Sequence, residues 1–199
     1  MVSDWLSASG FNEIMSNSLN SSSYYTQLES YKPENLVMIL NPLSQELNCM
    51  RQTLLFSGLE TIRHNTNRRN PNLRLYEFGN CYIKENAQNQ VLEGFTENQH
   101  LAIFLSGFKS DESWTLKQEN ASFYTIKAFA EYVMNRVGIL PERCFVSDLN
   151  NDIFSEGLKY SLNNQEFVEF GIVNKKLLQM FDLKNPVYYA NFNWDIVMN

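Results

Sequence analysis

Glycine and cysteine are scarce in this 199-residue chain, and several familiar motifs are missing. None of its eight glycines falls in a G-x-x-x-x-G-K-[ST] or G-x-G-x-x-G arrangement, so the usual phosphate-cradling loops are excluded. The sequences H-E-x-x-H and G-x-S-x-G are also absent. The chain therefore lacks the common signatures of nucleotide-binding and hydrolytic enzymes.

The three cysteines do not form a recognisable site. Cys49, Cys81 and Cys144 lie far apart in sequence, and neither His64 nor His100 stands near one of them at the spacing of a zinc site. We expect buried or half-buried free thiols in a reducing cytosol, and surface or capping roles for the two histidines.

Positive charge is also in short supply. Sixteen basic residues against 22 acidic ones give a net charge of -6, which favours a protein or small-molecule partner over nucleic acid or an anionic membrane. Apolar runs such as "LVMIL" (36–40) are far below the ~20 residues of a membrane-spanning helix. The first basic residue is Lys32, so no signal peptide is expected and a cytoplasmic location is predicted.

The pattern of apolar residues and breakers predicts a single α+β domain over residues 1–199, with a largely antiparallel sheet flanked by helices. Predicted strands come partly in neighbouring pairs, without strict alternation with helices. The predicted strands cover 11–19, 35–40, two halves of 73–85, 101–107, 157–162, 166–173 and 187–193. The predicted helices cover 2–10, about 53–70, 124–138 and a short segment capped by Asn174.

The amino-terminal segment reads as the last turns of a helix that ends at Gly10. Its apolar residues Val2, Trp5 and Leu6 share one side. We expect this helix to begin before Met1, which would make the chain a piece of a longer protein. The same side is then expected to face a neighbour.

The stretch "LRLYEFGNCYIKE" (73–85) predicts two strands joined by a bend at Gly79. Period-two alternation places Glu77 on the face of Leu73 and Leu75, where a carboxylate needs a partner. Arg51 or Arg74 is predicted to supply it as a structural ion pair. A carboxylate that anchors the amine of a substrate is the alternative.

One basic patch stands out, "RHNTNRR" at 63–69. Its arginines, together with nearby Arg74, are candidates for contact with an RNA backbone. The alternative is a solvated helix end, where cations interact favourably with the carbonyl groups of the last turn. The candidate RNA contacts are Arg63, Arg68, Arg69 and Arg74.

Three stretches together resemble a known family: "GFNEIMSNSL", "NPLSQELNCMRQTLLFSGLETIRHNTNR" and "LRLYEFGNCYIKE". They are similar to the catalytic-like core of the beta subunit of bacterial phenylalanyl-tRNA synthetase, and the later "FYTIKAFAEYVMNRVGI" and "FGIVNKKLLQMFDL" also look like that region. The resemblance covers essentially the whole chain. It implies the fold of a class II aminoacyl-tRNA synthetase core, in a subunit whose active site belongs to its alpha partner.

The resemblance also implies that this core is not catalytic. Class II cores carry a phosphate-binding arginine just after the strand bend, and that place holds Ile83 here; Lys84 would point to the opposite face. A second arginine, in a glycine-rich segment late in the fold, has no counterpart in residues 186–199. Since one oxyanion donor is worth ~2.7 to 4 kcal/mol, two such losses would remove several kcal/mol of stabilisation.

The resemblance implies partners as well. The catalytic alpha subunit is the expected partner, with tRNA bound by the intact complex. ATP and magnesium belong to the alpha subunit, and no cofactor is expected in this chain. The predicted subunit-interface residues are Val2, Trp5, Leu6 and Phe11. The alternatives are a free-standing synthetase-like paralogue that binds an amino acid and ATP, and an RNA-binding module.

Overall fold

A computed structural model describes residues 1–85, 94–109, 113–115 and 117–198. Its main feature is a seven-stranded sheet in the order β1-β4-β5-β9-β8-β7-β6, and only the short β1–β4 pair is parallel. A two-stranded pair, β2 and β3, lies apart from it. The predicted α+β fold with a largely antiparallel sheet is confirmed. The strands are β1 Asn12–Glu13, β2 Leu19–Asn20, β3 Cys49–Met50, β4 Leu73–Lys84, β5 Phe95–Ser106, β6 Phe145–Asp148, β7 Phe154–Leu162, β8 Gln165–Val173 and β9 Val187–Asn193.

Helices cover both faces of the sheet. On one face, α1, α3 and α5 bury a cluster that includes Leu6, Ile103, Ile126 and Phe192. On the other face, α2, α4 and the segment from Tyr24 to Leu36 bury a second cluster. No helix in the described ranges is long and apolar enough to cross a membrane. The helices are α1 Val2–Ala8, α2 Leu55–Asn67, α3 Phe123–Arg136, α4 Lys175–Met180 and α5 Trp194–Met198.

Glycines end two helices as the sequence predicts. Gly10 and Gly138 have φ values of 84° and 85°, which suit a residue without a Cβ. After each glycine the chain bonds back into the helix, from Phe11 N–H to the carbonyl of Leu6 and from Ile139 N–H to that of Met134. Both helix ends therefore follow from local sequence.

The carboxyl-terminal half also matches several predictions. The turn between β7 and β8 places Asn163 and Asn164 at φ 52° and 64°, the left-handed backbone of a tight hairpin. Asn174 caps α4, because its side chain accepts a hydrogen bond from Lys176 N–H at 3.0 Å. The predicted strand at 187–193 is β9.

The predicted bend at Gly79 is wrong. Strand β4 runs without a break from Leu73 to Lys84, and Gly79 pairs with His100 in regular register. The glycine serves a close side-chain approach, described below. The predicted loop at 86–98 is also too long, because β5 begins at Phe95; residues 86–93 lie outside the described ranges.

Two predicted strands near the amino end are mostly absent. Of 35–40, only Met38 forms a β-bridge, with Cys49. The predicted strand at 11–19 is reduced to the two-residue β1 and the start of β2. Three elements had no prediction, the short strand β3, the edge strand β6 and the last helix α5.

Candidate functional site

A buried ion pair joins the loop before α2 to the centre of β4. Arg51 Nη1 lies 2.8 Å from Glu77 Oε1, and the two side chains are 3% and 1% exposed. Ser16 adds to the pair, since its hydroxyl lies 2.9 Å from Arg51 Nη1 and 2.6 Å from Glu77 Oε2. Arg51 Nε donates to the carbonyl of Asn80 at 2.9 Å. Buried charges require this degree of compensation.

Of the two partners predicted for Glu77, the structure selects Arg51. Arg74 is half-buried and donates instead to the carbonyl of Ser9 at 3.0 Å and to that of Lys109. Among the described residues, no buried side-chain nitrogen or oxygen lacks a hydrogen-bond partner. The predicted structural ion pair is therefore present, and its polar atoms are satisfied within the chain.

Gly79 makes room for this ion pair. A Cβ at Gly79 would lie 2.3 Å from Arg51 Nη2 and 2.9 Å from Leu54 Cδ2. The guanidinium and the leucine thus lie directly against the glycine on the Glu77 side of β4. Space above this part of the sheet is filled by the chain itself.

A row of aligned residues extends from Glu77 across the sheet. The strand register pairs Glu77 with Ala102, Ala102 with Asn191, and Asn191 with Glu169. Asn191 Nδ2 donates to Glu169 Oε1 at 3.2 Å, and Asn191 Oδ1 lies 2.9 Å from Nδ1 of His100. We call the sheet face that carries this row the polar face, and the opposite face the apolar face.

Burial shifts the ionisation of this row. It raises the pKa of Glu169 above its ordinary value of 4.5, and it lowers the pKa of His100 from 6.5. It also raises the pKa of Tyr31 and of Tyr189 well above 10.0, and the Tyr189 hydroxyl lies 3.4 Å from that of Thr53. Burial therefore favours the neutral forms of these four side chains, on the same face as the charged pair of Arg51 and Glu77.

Ile83, where the resemblance leads us to expect a phosphate-binding arginine, lies on this same face. Because β4 is continuous, the period-two alternation from Glu77 reaches Ile83, and Lys84 is exposed on the other side. The second arginine is expected late in the fold, in residues 186–199. There β9 leads directly into α5, whose Trp194 packs edge-on against Phe78 with ring centroids 4.9 Å apart. The described residues offer no arginine at either place that the resemblance identifies.

The four predicted interface residues lie on α1 and just after it. Val2, Leu6 and Phe11 are 8%, 0% and 3% exposed within the apolar-face cluster, so they have little surface left for a partner. Trp5 is half-buried, with its ring 5.8 Å from that of Tyr132. Trp5 is thus the most accessible of the four; its interface role remains a prediction.

The four predicted RNA contacts lie near the carboxyl end of α2 and the start of β4. Arg68 and Arg69 are exposed and Arg63 and Arg74 are half-buried. Arg68 Nη1 lies 2.8 Å from His64 Nδ1. Arg74 donates to the carbonyl of Ser9, just after α1 on the apolar face, whereas α2 packs on the polar face, so Arg74 lies apart from the other three. The choice between a solvated helix end and an RNA contact remains a prediction.

The cysteines match their predicted character. Cys49 and Cys81 are buried and Cys144 is half-buried, all as free thiols. Within the described ranges, no three His, Cys, Asp or Glu side chains come together in a group that could hold a metal ion.

Sequence reasoning missed the row on the polar face. His100 was expected at the surface or as a cap, but it is half-buried within β5 and bonded to Asn191. A signal was available, because Glu169 interrupts the apolar strand "FVEFGIV". What could not be seen was the register, since His100 and Asn191 are 91 positions apart.

The antiparallel sheet and its covering helices form the fold of a class II aminoacyl-tRNA synthetase core. Two solved structures of pyrrolysyl-tRNA synthetase from Desulfitobacterium hafniense superimpose with a TM-score of 0.72 each, at 14% and 15% identity. Each superposition covers 99% of this chain and 65% of the other.

Within that class the family is also clear. Residues 1–194 match the family described as "Phenylalanyl tRNA synthetase beta chain CLM domain", so the chain belongs to this family. Phenylalanine--tRNA ligase beta subunits of Bacteroides thetaiotaomicron and Porphyromonas gingivalis are 45% and 38% identical over the whole chain. The chain spans 25% of the length of each of these relatives.

Proposed function

We propose that this chain is a noncatalytic class II-like core within a phenylalanine-tRNA ligase beta subunit. Its role is to support aminoacylation by packing against the catalytic alpha subunit of a cytoplasmic heterotetramer. ATP, magnesium and the reacting amino acid are then bound by the alpha subunit, and tRNA by the intact complex. Residues 1–199 act in this proposal as one degenerate core domain.

The observation that carries the proposal is the composition of the polar face. Phosphate transfer and adenylate formation depend on positioned positive charge around phosphates. Here Ile83 occupies the expected arginine position, and the guanidinium that does lie on this face, that of Arg51, is committed to Glu77. Its Nε and Nη1 donate to groups of the chain itself, and its Nη2 lies against Gly79.

The contact with the alpha subunit is proposed to centre on Trp5. Its ring lies against Phe129 and Tyr132 of α3, at centroid distances of 6.2 and 5.8 Å. Tyr132 is 57% exposed and Tyr124, about two helical turns away, is 77% exposed. An accessible aromatic surface of this kind is typical of interface anchors. Val2, Leu6 and Phe11 hold α1 in place from beneath.

Co-purification with the alpha subunit tests this proposal. Trp5→Asp should weaken the association by about 2 kcal/mol or more, about thirtyfold in Kd, because aromatic anchors at interfaces typically contribute that much. Phe145→Asp is the matched control, since Phe145 is 72% exposed on the edge strand β6 and the change adds the same charge. Unchanged assembly of a folded Trp5→Asp variant, checked by thermal melting, would remove Trp5 from the interface.

A further inference from the structure

A cavity lies where β8 ends and α4 begins. It has a volume of about 360 Å³, and its walls are the start of β7, the end of β8, α4 and the segment that leads into β9. This volume lies within the range of small-molecule pockets, about 300–1,000 Å³. We call it the α4 cavity, and neither Trp5 nor Ile83 lines it.

Hydrogen bonds at both ends of α4 hold the walls of this cavity in place. The Asn174 side chain accepts a hydrogen bond from Lys176 N–H at 3.0 Å, and the Asn174 backbone N–H donates to the carbonyl of Ile153 at 2.8 Å. At the other end, Leu183 N–H donates to the carbonyl of Leu178 at 2.9 Å. These bonds join the helix to the segments before and after it, so a ligand would not have to order these walls on binding.

The interior of the α4 cavity is apolar. Val173, Leu178 and Leu183 are buried side chains that line it, and half-buried Ile172 lines it as well. The ring of Pro186 adds apolar surface where the cavity meets solvent. An apolar chain that displaces water from these side chains is favoured by the hydrophobic effect.

The solvent-exposed part of the lining carries positive charge. Lys175 and Lys184 are both exposed and both line the cavity, and neither forms an ion pair with any residue that the structure describes. The side-chain amide of Gln179, also in the lining, has no hydrogen-bond partner among the described residues. Two ammonium groups and an amide N–H are therefore available to an anion.

Negative charge is missing from the same lining. Among the described residues that line the α4 cavity there is no Asp or Glu. Glu156 and Asp182 are exposed close by in sequence, but neither lines the cavity. The ammonium group of an amino acid or a polyamine would thus meet two lysines without a carboxylate to pair with, which disfavours such ligands.

From this arrangement we propose that the α4 cavity binds a small carboxylate with an apolar chain and no amino group. The chain lies against Ile172, Leu178 and Leu183, and the carboxylate accepts hydrogen bonds from the ammonium groups of Lys175 and Lys184. The proposal does not depend on the proposed function, because the alpha-subunit contact and the Ile83 position lie outside the cavity.

Methyl NMR of the 199-residue chain tests the ligand class, with octanoate, octanamide and octylammonium as probes of equal chain length. Octanoate should shift the methyl signals of Ile172, Val173, Leu178 and Leu183 in a saturable way, with a Kd on the order of 1 mM for so small a ligand. Octanamide should bind more weakly, and octylammonium should bind least. Leu40 and Leu43, which are 90% and 107% exposed elsewhere, report non-specific association and should not shift.

Charge variants test the roles of the two lysines. The double variant Lys175→Gln, Lys184→Gln should bind octanoate about fivefold more weakly, which is the scale of two exposed charge contacts. Its affinity for octanamide should stay within about twofold of that of the unchanged chain. The matched control Lys84→Gln, Lys176→Gln removes the same charge from exposed positions that do not line the cavity, one of them on α4, and should keep both affinities.

A filling variant tests the location. Ser155→Phe places a ring in the cavity from the start of β7 and should abolish the binding of both octanoate and octanamide. Thermal melting checks that this variant folds; the lysine variants change only exposed side chains, so they test the site even where Ser155→Phe does not fold.

Four results would overturn the proposal. They are no saturable shift at about tenfold the expected Kd, shifts at Leu40 and Leu43 equal to those in the cavity, equal losses in the two lysine variants, and octylammonium binding as tight as that of octanoate. Tighter binding by a short peptide with an apolar carboxyl-terminal residue than by octanoate would instead assign the cavity to the end of a protein chain.

Discussion

The two faces of the seven-stranded sheet are stabilised in different ways. The apolar face is covered by α1, α3 and α5 through side chains such as Leu6, Ile103 and Val133, each 0% exposed. The polar face has its own apolar cluster, but at its centre it buries Arg51 and Glu77. One face depends on non-directional burial of apolar area, and the other also depends on specific hydrogen bonds.

This difference bears on function. The polar face is the one on which Ile83 stands at the expected arginine position, and its interior is occupied by Arg51, Leu54 and Thr53. A face that holds a nucleotide must keep cations and space available. In this chain Ile83 supplies no cation on this face, and Arg51 is paired with Glu77 and packs against Gly79, which supports the proposal that the polar face is structural.

The largest expected effect comes from breaking the buried ion pair. Glu77→Ala should lower the free energy of unfolding by about 3–5 kcal/mol, because Arg51 would remain buried without a counter-charge. Urea unfolding followed by circular dichroism measures it. The double variant Arg51→Met, Glu77→Leu is the control and should stay much closer to the unchanged chain. A loss below about 1 kcal/mol for Glu77→Ala would mean that water reaches the pair.

A smaller loss is expected for Gly79→Ala. The added methyl group would lie 2.3 Å from Arg51 Nη2, and such overpacking typically costs about 1–3 kcal/mol. In the Arg51→Met, Glu77→Leu background the loss should shrink, because the guanidinium is gone. Strict additivity in this double-mutant cycle would show that Gly79 and Arg51 do not interact.

The Glu169 carboxyl should give the polar face a pH dependence. Burial raises its pKa in the folded state above 4.5, so the folded state favours the protonated form and loses stability as pH rises above that value. Glu169→Gln should therefore be more stable than the unchanged chain at pH 7, with a difference that vanishes near pH 4. Urea unfolding across this pH range measures it.

His100 contributes with the opposite sign. Burial lowers its pKa from 6.5, so its neutral form is favoured and stability falls as pH drops below 6.5. Because Asn191 links His100 to Glu169, this contribution cancels between Glu169→Gln and the unchanged chain only above pH 6.5, where His100 is neutral in both. If the unchanged chain were the more stable one at pH 7, the Glu169 carboxylate would be favourably paired in the folded state.

The smallest effect concerns thiol reactivity and leaves stability unchanged. Burial raises the pKa of Cys49 to about 11 and that of Cys81 to about 12, and both belong to the polar-face cluster. Half-buried Cys144 packs beside the apolar-face cluster. Titration with a chromogenic disulfide at pH 8 should modify Cys144 first and the other two only after unfolding. Cys144→Ser should abolish the early phase; rapid modification of a second thiol would contradict the burial of the polar face.

The features that the sequence predicted correctly depend on interactions between residues close together in the chain. The helix stop at Gly138, the Asn163-Asn164 turn and the cap at Asn174 each depend on residues within one turn of chain. Helix α3 followed from its apolar spacing, and Glu77 was assigned a basic partner because a buried carboxylate requires one. These features need no knowledge of distant segments.

The wrong or missed predictions concern features that depend on contacts between distant segments of the chain. Gly79 was interpreted as a bend, but it accommodates Arg51 from a different part of the chain. The apolar run at 36–40 lacks a full strand partner and leaves Leu40 90% exposed. The link from His100 through Asn191 to Glu169 depends on the register of three strands, which composition and periodicity do not specify.

Isothermal titration with ATP and magnesium tests the central claim most directly. The account predicts no saturable heat, because Ile83 supplies no charge for a phosphate and Arg51 is held by Glu77. A saturable isotherm near one ATP per chain, with an adenylate analogue found beside Ile83 in crystals, would contradict it.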